Sequence, residues 1–234
     1  MKSIVILTGA GISAESGLKT FRDSNGLWEG HRPEEVATPE AFAANPDMVH
    51  RFYNQRRAQL SEVEPNAAHL ALADLEKSLG DDFLLVTQNV DNLHERAGNT
   101  RVLHMHGELG KMRCALCSVT SPCTTDLATT DVCESCDRPG GLRPDIVWFG
   151  EMPYHLDRIY EALEAADLFI AIGTSGVVYP AAQFVSHARQ HRARTVEINL
   201  EAAANSDIFD ESILGPATEK VPIYVERVLT ALGK

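Results

Sequence analysis

Four cysteines, Cys114, Cys117, Cys133 and Cys136, stand as two C-x-x-C pairs fifteen residues apart. A C-x-x-C knuckle brings two thiolates to one ion from a tight turn, and two knuckles complete a closed sulfur tetrahedron, the donor set that suits Zn²⁺. Four sulfurs leave no open position for water. One structural ion is therefore expected, and the reaction chemistry must lie elsewhere. A second group could hold an anion: Gly9-Ala10-Gly11-Ile12-Ser13-Ala14 follows a β-branched run and leads into helical residues, as a G-x-G-x-x-A turn. Glycines there let backbone N–H groups approach a pyrophosphate, although such a turn is often no more than a tight strand-to-helix connection. Further polar groups follow other strand-like runs, as Gln88-Asn89-Val90-Asp91, Gly173-Thr174-Ser175 and Asn199-Leu200-Glu201. Each alone reads as a cap or turn; their shared place at carboxyl ends predicts one crevice.

Positioning these groups calls for a parallel sheet. Short β-branched runs at 3–8, 83–87, 101–103, 145–147, 167–172 and 194–199 alternate with helical patterns at 47–63, 66–79, 156–165, 180–190 and 221–232. This predicts an α/β fold, a Rossmann-like parallel sheet with helices on both faces, plus a small inserted zinc-binding module. The main domain is assigned to 1–109 and 143–234, with a helical insertion at about 30–64, and the module to 110–142, where cysteines, threonines and prolines break the alternation. The acid expected about 20 residues after a dinucleotide turn is missing. A polar loop, Lys19 to Trp28, takes its place.

The chain has 234 residues, 44% apolar and 23% charged, ordinary for a soluble globular protein. With 21 basic and 33 acidic residues its net charge is −12, a field that repels phosphate backbones and anionic lipid and attracts cationic lysine-bearing segments. No apolar run approaches membrane-spanning length. Cysteines committed to metal, with no export signal, place the chain in a reducing cytoplasm. Cys123, outside both knuckles, reads as a small side chain in a Ser/Thr-rich loop.

Taken together, Gly9 to Ser13, Gly17 to Arg22, Thr87 to Asp91, His106-Gly107, the four cysteines, Gly173 to Ser175 and Asn199 to Glu201 make the chain resemble the sirtuins over nearly its whole length. Val147-Trp148-Phe149-Gly150-Glu151 and Tyr53-x-x-Arg56 are most similar to the bacterial CobB type, whose class includes desuccinylase-like enzymes. The resemblance implies an NAD-dependent protein lysine deacylase: NAD is consumed, the acyl group passes to ADP-ribose and nicotinamide leaves. It implies His106 as the catalytic base, with His104 two residues earlier as the alternative that only the following glycine disfavours. It places Gly9, Ala10, Gly11, Ile12, Ser13, Gln88, Asn89, Val90, Asp91, Gly173, Thr174, Ser175, Asn199, Leu200, Glu201 and Ala217 around NAD. Asp91 would hold the carboxamide, Asn89 would orient ribose or a water, and Ser13 and Ser175 would touch phosphate or ribose. Phe21, Arg22 and Trp28 would sit on a loop that closes over NAD. Val147, Phe149 and Gly150 would bind the substrate, and Trp148 to Glu151 would form an extended edge segment that pairs with the peptide as an added strand.

Periodicity adds an argument about the acyl group. On the 47–63 helix the apolar stripe is Val49, Phe52, Leu60 and Val63, and Arg56 falls midway along it with Tyr53 on the adjoining flank. A guanidinium on an apolar stripe is costly unless paired, or it snorkels past the helix edge. The resemblance turns this toward recognition of a carboxylate, as in succinyl-lysine. Arg51 and Arg57 fall on polar sides and are expected to be solvated. Expected partners are acyl-lysine proteins or peptides, with no nucleic acid, no membrane and a monomeric chain. ADP-ribosyl transfer to protein is a neighbouring alternative. A zinc-ribbon binding module with a vestigial nucleotide fold is a third, disfavoured because Lys111, Arg113, Arg138 and Arg143 are outnumbered by Glu108, Asp126, Asp131, Glu134 and Asp137.

Overall fold

Branched apolar runs with every residue buried, Ile-Val-Ile-Leu at 4–7 and Leu-Phe-Ile-Ala-Ile at 168–172, are extended because β-branching suits the pleated backbone and neither face meets water. The computed structural model describes residues 3–18 and 30–234. The strands are β1 (Ile4–Thr8), β2 (Phe83–Thr87), β3 (Val102–His104), β4 (Gly107–Cys114), β5 (Thr120–Pro122), β6 (Leu142–Ile146), β7 (Leu168–Ile172), β8 (Arg194–Asn199) and β9 (Glu211–Leu214). The α-helices are α1 (Ala10–Ala14), α2 (Pro33–Val36), α3 (Pro39–Ala44), α4 (Pro46–Gln59), α5 (Ala67–Leu79), α6 (Leu93–Ala97), α7 (Leu156–Ala165), α8 (Phe184–Gln190) and α9 (Ala217–Ala231).

The large sheet is parallel throughout, in the order β3-β2-β1-β7-β8-β9. Strand order reverses at β1, so the loops leaving β1, β2 and β7 diverge there and open a crevice at the carboxyl ends. Alternation along β1 sends Ile4 and Ile6 to one face, under α5 and α9 through Leu72, Leu75, Val221 and Val225. Val5 and Leu7 face α7 and α8 through Ile159, Leu163, Phe184 and Val185.

Two satellites flank this core. Helices α2, α3 and α4 each begin with proline at the first turn, where a missing N–H costs nothing; Thr38 and Asn45 cap α3 and α4 by accepting from Ala41 and Met48 N–H. Their core, Val36, Val49, Phe52 and Tyr53, also takes in Leu109, Ile146 and Trp148. The second satellite is an antiparallel sheet, β5-β4-β6, carrying the cysteines.

Three expectations about elements differ. The stretch expected as a parallel strand at 145–147 ends β6 and runs antiparallel to β4, with Gly107 opposite Ile146. Strand β9 lacks an apolar run because it is an edge whose residues alternate in burial. Helix α9 starts at Ala217, four residues before the expected 221, carrying Pro222 inside it. Among the described residues, no helix is long and apolar enough to cross a membrane.

Candidate active site

The loops after β1 and β7 are joined backbone to backbone. Gly9 N–H donates to Ile172 O at 3.0 Å and Gly11 N–H to Gly173 O at 2.9 Å. A Cβ on Gly9 would stand 2.7 Å from Gly173 O, and one on Gly11 2.7 Å from Gly173 Cα, so both glycines are required by this approach. Ile12 and Ala217 point into the sheet core, so only their backbones can face a ligand.

Behind these loops lies a buried polar network. Ser13 Oγ donates to Asp91 Oδ2 at 3.0 Å and accepts from Asn89 Nδ2 at 3.1 Å; Asn89 Nδ2 also donates to Gly9 O at 3.1 Å. The Ser13 hydroxyl thus both donates and accepts within the protein, and it orients Asn89 and Asp91. Leu93 N–H donates to Asp91 Oδ1 at 3.1 Å. Burial pushes the Asp91 carboxyl above its ordinary range, against the pull of the Leu93 N–H and the Ser13 hydroxyl. Thr87 Oγ1 accepts from Asn89 N–H at 3.0 Å and from the Thr8 hydroxyl at 2.9 Å, which fixes the backbone entering the site. His94 Nε2 lies 3.0 Å from Thr8 Oγ1, and the His69 and His94 rings are 4.9 Å apart. Burial holds both imidazoles neutral, His69 down at about 4 and His94 well below the ordinary range. Of these four residues, Thr87 carries part of the resemblance, while Thr8, His69 and His94 were not singled out from the sequence. The available signal was the pairing of two threonines that end neighbouring strands with helical histidines facing them.

The two histidines at the end of β3 have different surroundings. His104 is buried, with Nδ1 3.2 Å from Asn89 O and Nε2 2.7 Å from Glu95 Oε1. Burial pushes its pKa down, but the Glu95 hydrogen bond and charge outweigh this and the net shift is upward. Both nitrogens face acceptors, so His104 is suited to remain a cation in an ion pair. His106 has Nδ1 3.1 Å from Gln88 O. A carbonyl only accepts, so Nδ1 carries the proton and the neutral ring presents Nε2 as a lone pair. Burial moves His106 below the ordinary imidazole value. Gly107 explains the accompanying glycine: its φ is +82°, and a Cβ would overlap Asp145 O, on the strand that β4 joins.

Val147 to Gly150 run beside this imidazole without forming a strand. Val147 N–H donates to His106 O and Phe149 N–H to Ala37 O, both at 2.9 Å. Phe149 is exposed and Trp148 buried. Trp148 Nε1 donates to the Tyr53 hydroxyl at 2.9 Å, and the Arg143 guanidinium lies 3.2 Å from the centroid of the Trp148 rings. Tyr53 and Arg56 are both buried on α4; burial raises the Tyr53 phenol. Arg57, expected in solvent, is half-buried instead. Its Nε donates to Leu109 O at 2.8 Å and its Nη1 to Thr125 O at 3.3 Å, because the cysteine module packs on that side of α4.

At the far side of the crevice, Asn199 is buried and donates to Glu197 Oε2 at 3.1 Å, whereas Leu200 and Glu201 are exposed at the rim. Thr174 and Ser175 are half-buried. Gln88 presents its backbone carbonyl to His106, and Val90 packs toward the α4 core. Phe21, Arg22 and Trp28 lie outside the described residues.

The four cysteine Sγ atoms lie within 4.8 Å of one another. Cys114 and Cys136 are 3.8 Å apart and Cys117 and Cys133 3.7 Å, with no disulfide. A tetrahedron with Zn–S bonds of about 2.3 Å has edges of about 3.8 Å, so the set fits Zn²⁺ as it stands. Cys123 is buried and its thiol donates to Thr125 O at 3.4 Å, apart from the cage.

Comparison with known proteins agrees with this fold. The Sir2 family matches residues 9–180. The NAD-dependent protein deacylase of Escherichia coli is 58% identical over 231 residues, covering 98% of this chain and 83% of that protein. The Vibrio vulnificus protein of the same name is 57% identical over 233 residues, covering 99% and 95%. A solved complex of a Sir2 homologue with NAD has a TM-score of 0.89 at 42% identity, covering 99% of this chain and 91% of that one. A mutant Sir2 homologue with 2′-O-acetyl ADP-ribose has a TM-score of 0.90 at 42% identity, covering 100% and 94%. With a family match over most of the chain and relatives aligned along nearly all of it, the chain belongs to the Sir2 family.

Proposed function

We propose that the chain is an NAD-dependent protein lysine deacylase, acting on acetyl-lysine and succinyl-lysine, with the acyl group passing to ADP-ribose as nicotinamide leaves. The observation that carries this reading is the His106 imidazole, anchored through Nδ1 on Gln88 O with Nε2 left as a base beside the Ser13, Asn89 and Asp91 network. Relatives named for this activity support it, as do solved relatives holding NAD and acetylated ADP-ribose.

The residues fit NAD by their own chemistry. Close glycine backbones at the reversal of strand order admit a pyrophosphate, and a buried amide and carboxylate suit a carboxamide and ribose. NAD supplies a ribose carbon that nicotinamide leaves and the acyl oxygen can attack. In this reading Asp91 and Asn89 hold the nicotinamide end. Gly9 to Ser13 and Gly173 to Ser175 hold the phosphates and inner ribose, and Asn199 to Glu201 with the backbone at Ala217 hold the adenosine end. His106 Nε2 takes a proton from a ribose hydroxyl, and its half-buried, neutral ring is suited to accept one at neutral pH. Val147, Phe149 and Gly150 receive the peptide. Tyr53 and Arg56 approach the acyl tail, where the guanidinium would meet a carboxylate. The four-sulfur zinc cage in 110–142 braces the module and takes no part in the chemistry. The domain division, 1–109 with 143–234 against 110–142, belongs to this reading, as do a cytoplasmic site and a monomeric chain.

The test is mass spectrometry of acetyl-lysine and succinyl-lysine peptides with and without NAD, using the native chain and Arg56→Met. Acyl mass should be lost only with NAD. Arg56→Met should lower turnover of the succinyl peptide at least about tenfold more than that of the acetyl peptide. Equal losses would remove the carboxylate role of Arg56, and loss of acyl mass without NAD would remove the deacylase reading.

A further inference from the structure

Away from the crevice, three metal-ligating side chains converge where α7 meets α8. Each helix runs back to the amino end of the next strand: α7 ends at Ala165 just before β7 begins at Leu168, and α8 ends at Gln190 before β8 begins at Arg194. Glu164 in the last turn of α7 and His187 and His191 at the end of α8 therefore lie at the edge of the sheet opposite the ligand crevice. Their donor atoms are all within 4.8 Å of one another.

Three features distinguish this cluster from an incidental surface ion pair. His187 and His191 are four apart, the spacing that puts two imidazoles on one helical face. His191 Nδ1 donates to His187 O at 3.0 Å, which leaves Nε2 as a lone pair held in orientation by a backbone carbonyl, the arrangement that usually backs a metal-bound imidazole. His187 Nε2 is buried and makes no hydrogen bond. Glu164 Oε1 lies only 3.3 Å away, off the direction an N–H would need, and the Tyr160 ring fixes the imidazole edge-on at 4.9 Å. A buried ring nitrogen that neither donates nor accepts, facing a carboxylate and a second imidazole, lacks a central partner. The carboxyl-terminal ends of two helices point to the same place, and both favour a cation.

We infer that Glu164, His187 and His191 form a second metal site, distinct from the cysteine cage, that binds a divalent transition ion of the Zn²⁺ class. Two imidazoles and one carboxylate select borderline ions such as Zn²⁺, Ni²⁺ and Cu²⁺ over Mg²⁺ and Ca²⁺, and three protein ligands leave a position for water. Ligands on a tetrahedral ion stand about 3.3 Å apart, a closure that rotation of the exposed Glu164 side chain and small shifts of the two rings supply. The bound ion staples α7 to α8. This site is independent of the proposed deacylation.

The test is a Zn²⁺ titration of the untagged chain already holding its cysteine-bound zinc, followed by calorimetry and by metal analysis after dialysis. The native chain should take up a second equivalent and melt at a higher temperature with it. The double variant His187→Ala with His191→Ala should keep only the cysteine-bound ion and lose the melting shift. Glu164→Gln, at an exposed position where folding is not at stake, should weaken the second equivalent at least about tenfold. No second equivalent in the native chain, or a second equivalent of unchanged affinity in the double variant, would overturn the inference.

Discussion

His104 and His106 stand two residues apart, yet their second ring nitrogens meet opposite surroundings. The Glu95 carboxylate beside His104 Nε2 favours a cation, while the backbone carbonyl on His106 Nδ1 leaves a neutral base. A pH prediction follows from the direction of the His106 shift. Its active form is the deprotonated ring, and burial lowers its pKa, so that form persists to lower pH. The acid limb of kcat/KM should therefore fall below the ordinary imidazole value of about 6.5, and a limb well above it would contradict a neutral, half-buried base. Sequence alone could choose between the two histidines only through Gly107, and the reason is now physical, since no side chain fits against Asp145 there. It could not reveal His69, His94 and Thr8, because each is an ordinary helix or strand residue until folding faces them on one another and on Thr87.

Helix α4 shows how far periodicity reaches at the scale of an element. Of the expected stripe, Val49, Phe52 and Leu60 are buried together with Arg56, whereas Val63 is half-buried and lies beyond the end of α4 at Gln59. Periodicity missed Arg57 because a helix's outer side is polar only if nothing else packs there, and residues 109–129 do. The cysteine module is the element most legible from sequence, since two knuckles specify their own geometry. Cys133→Ser should leave a three-sulfur site, with zinc content falling below roughly half an ion per chain and the module losing its cooperative melting. Full zinc content with an unchanged melting temperature would refute the cage. Strands β4, β6 and β9 were harder to read because antiparallel and edge strands alternate instead of running apolar, and β6 carries Arg143 and Asp145 buried.

Over the whole molecule, the parallel sheet brings the polar strand ends to one edge, while the module and α2 to α4 pack against each other. Those two parts are tied together at α4: Asn54 exchanges hydrogen bonds with Leu127 backbone at 2.9 and 3.0 Å, and Arg57 reaches Leu109 and Thr125. Arg57→Ala should cost about 2 kcal/mol in denaturant unfolding, the worth of charged hydrogen bonds to half-buried carbonyls. A loss under about 0.5 kcal/mol would mean that the tie carries little of the stability. The parallel sheet, the cysteine cage and the crevice were legible because each follows from local pattern; the tie between the satellites was not, because it joins side chains to backbone over more than fifty residues of sequence. The role of His106 is tested most directly by comparing the native chain with His106→Ala at matched melting temperature, following acetyl-lysine peptide and NAD together by mass spectrometry. The native chain should show acyl loss coupled to nicotinamide release and acyl-ADP-ribose, and deacylation should fall at least about a hundredfold in the variant. Turnover retained by His106→Ala would contradict that role.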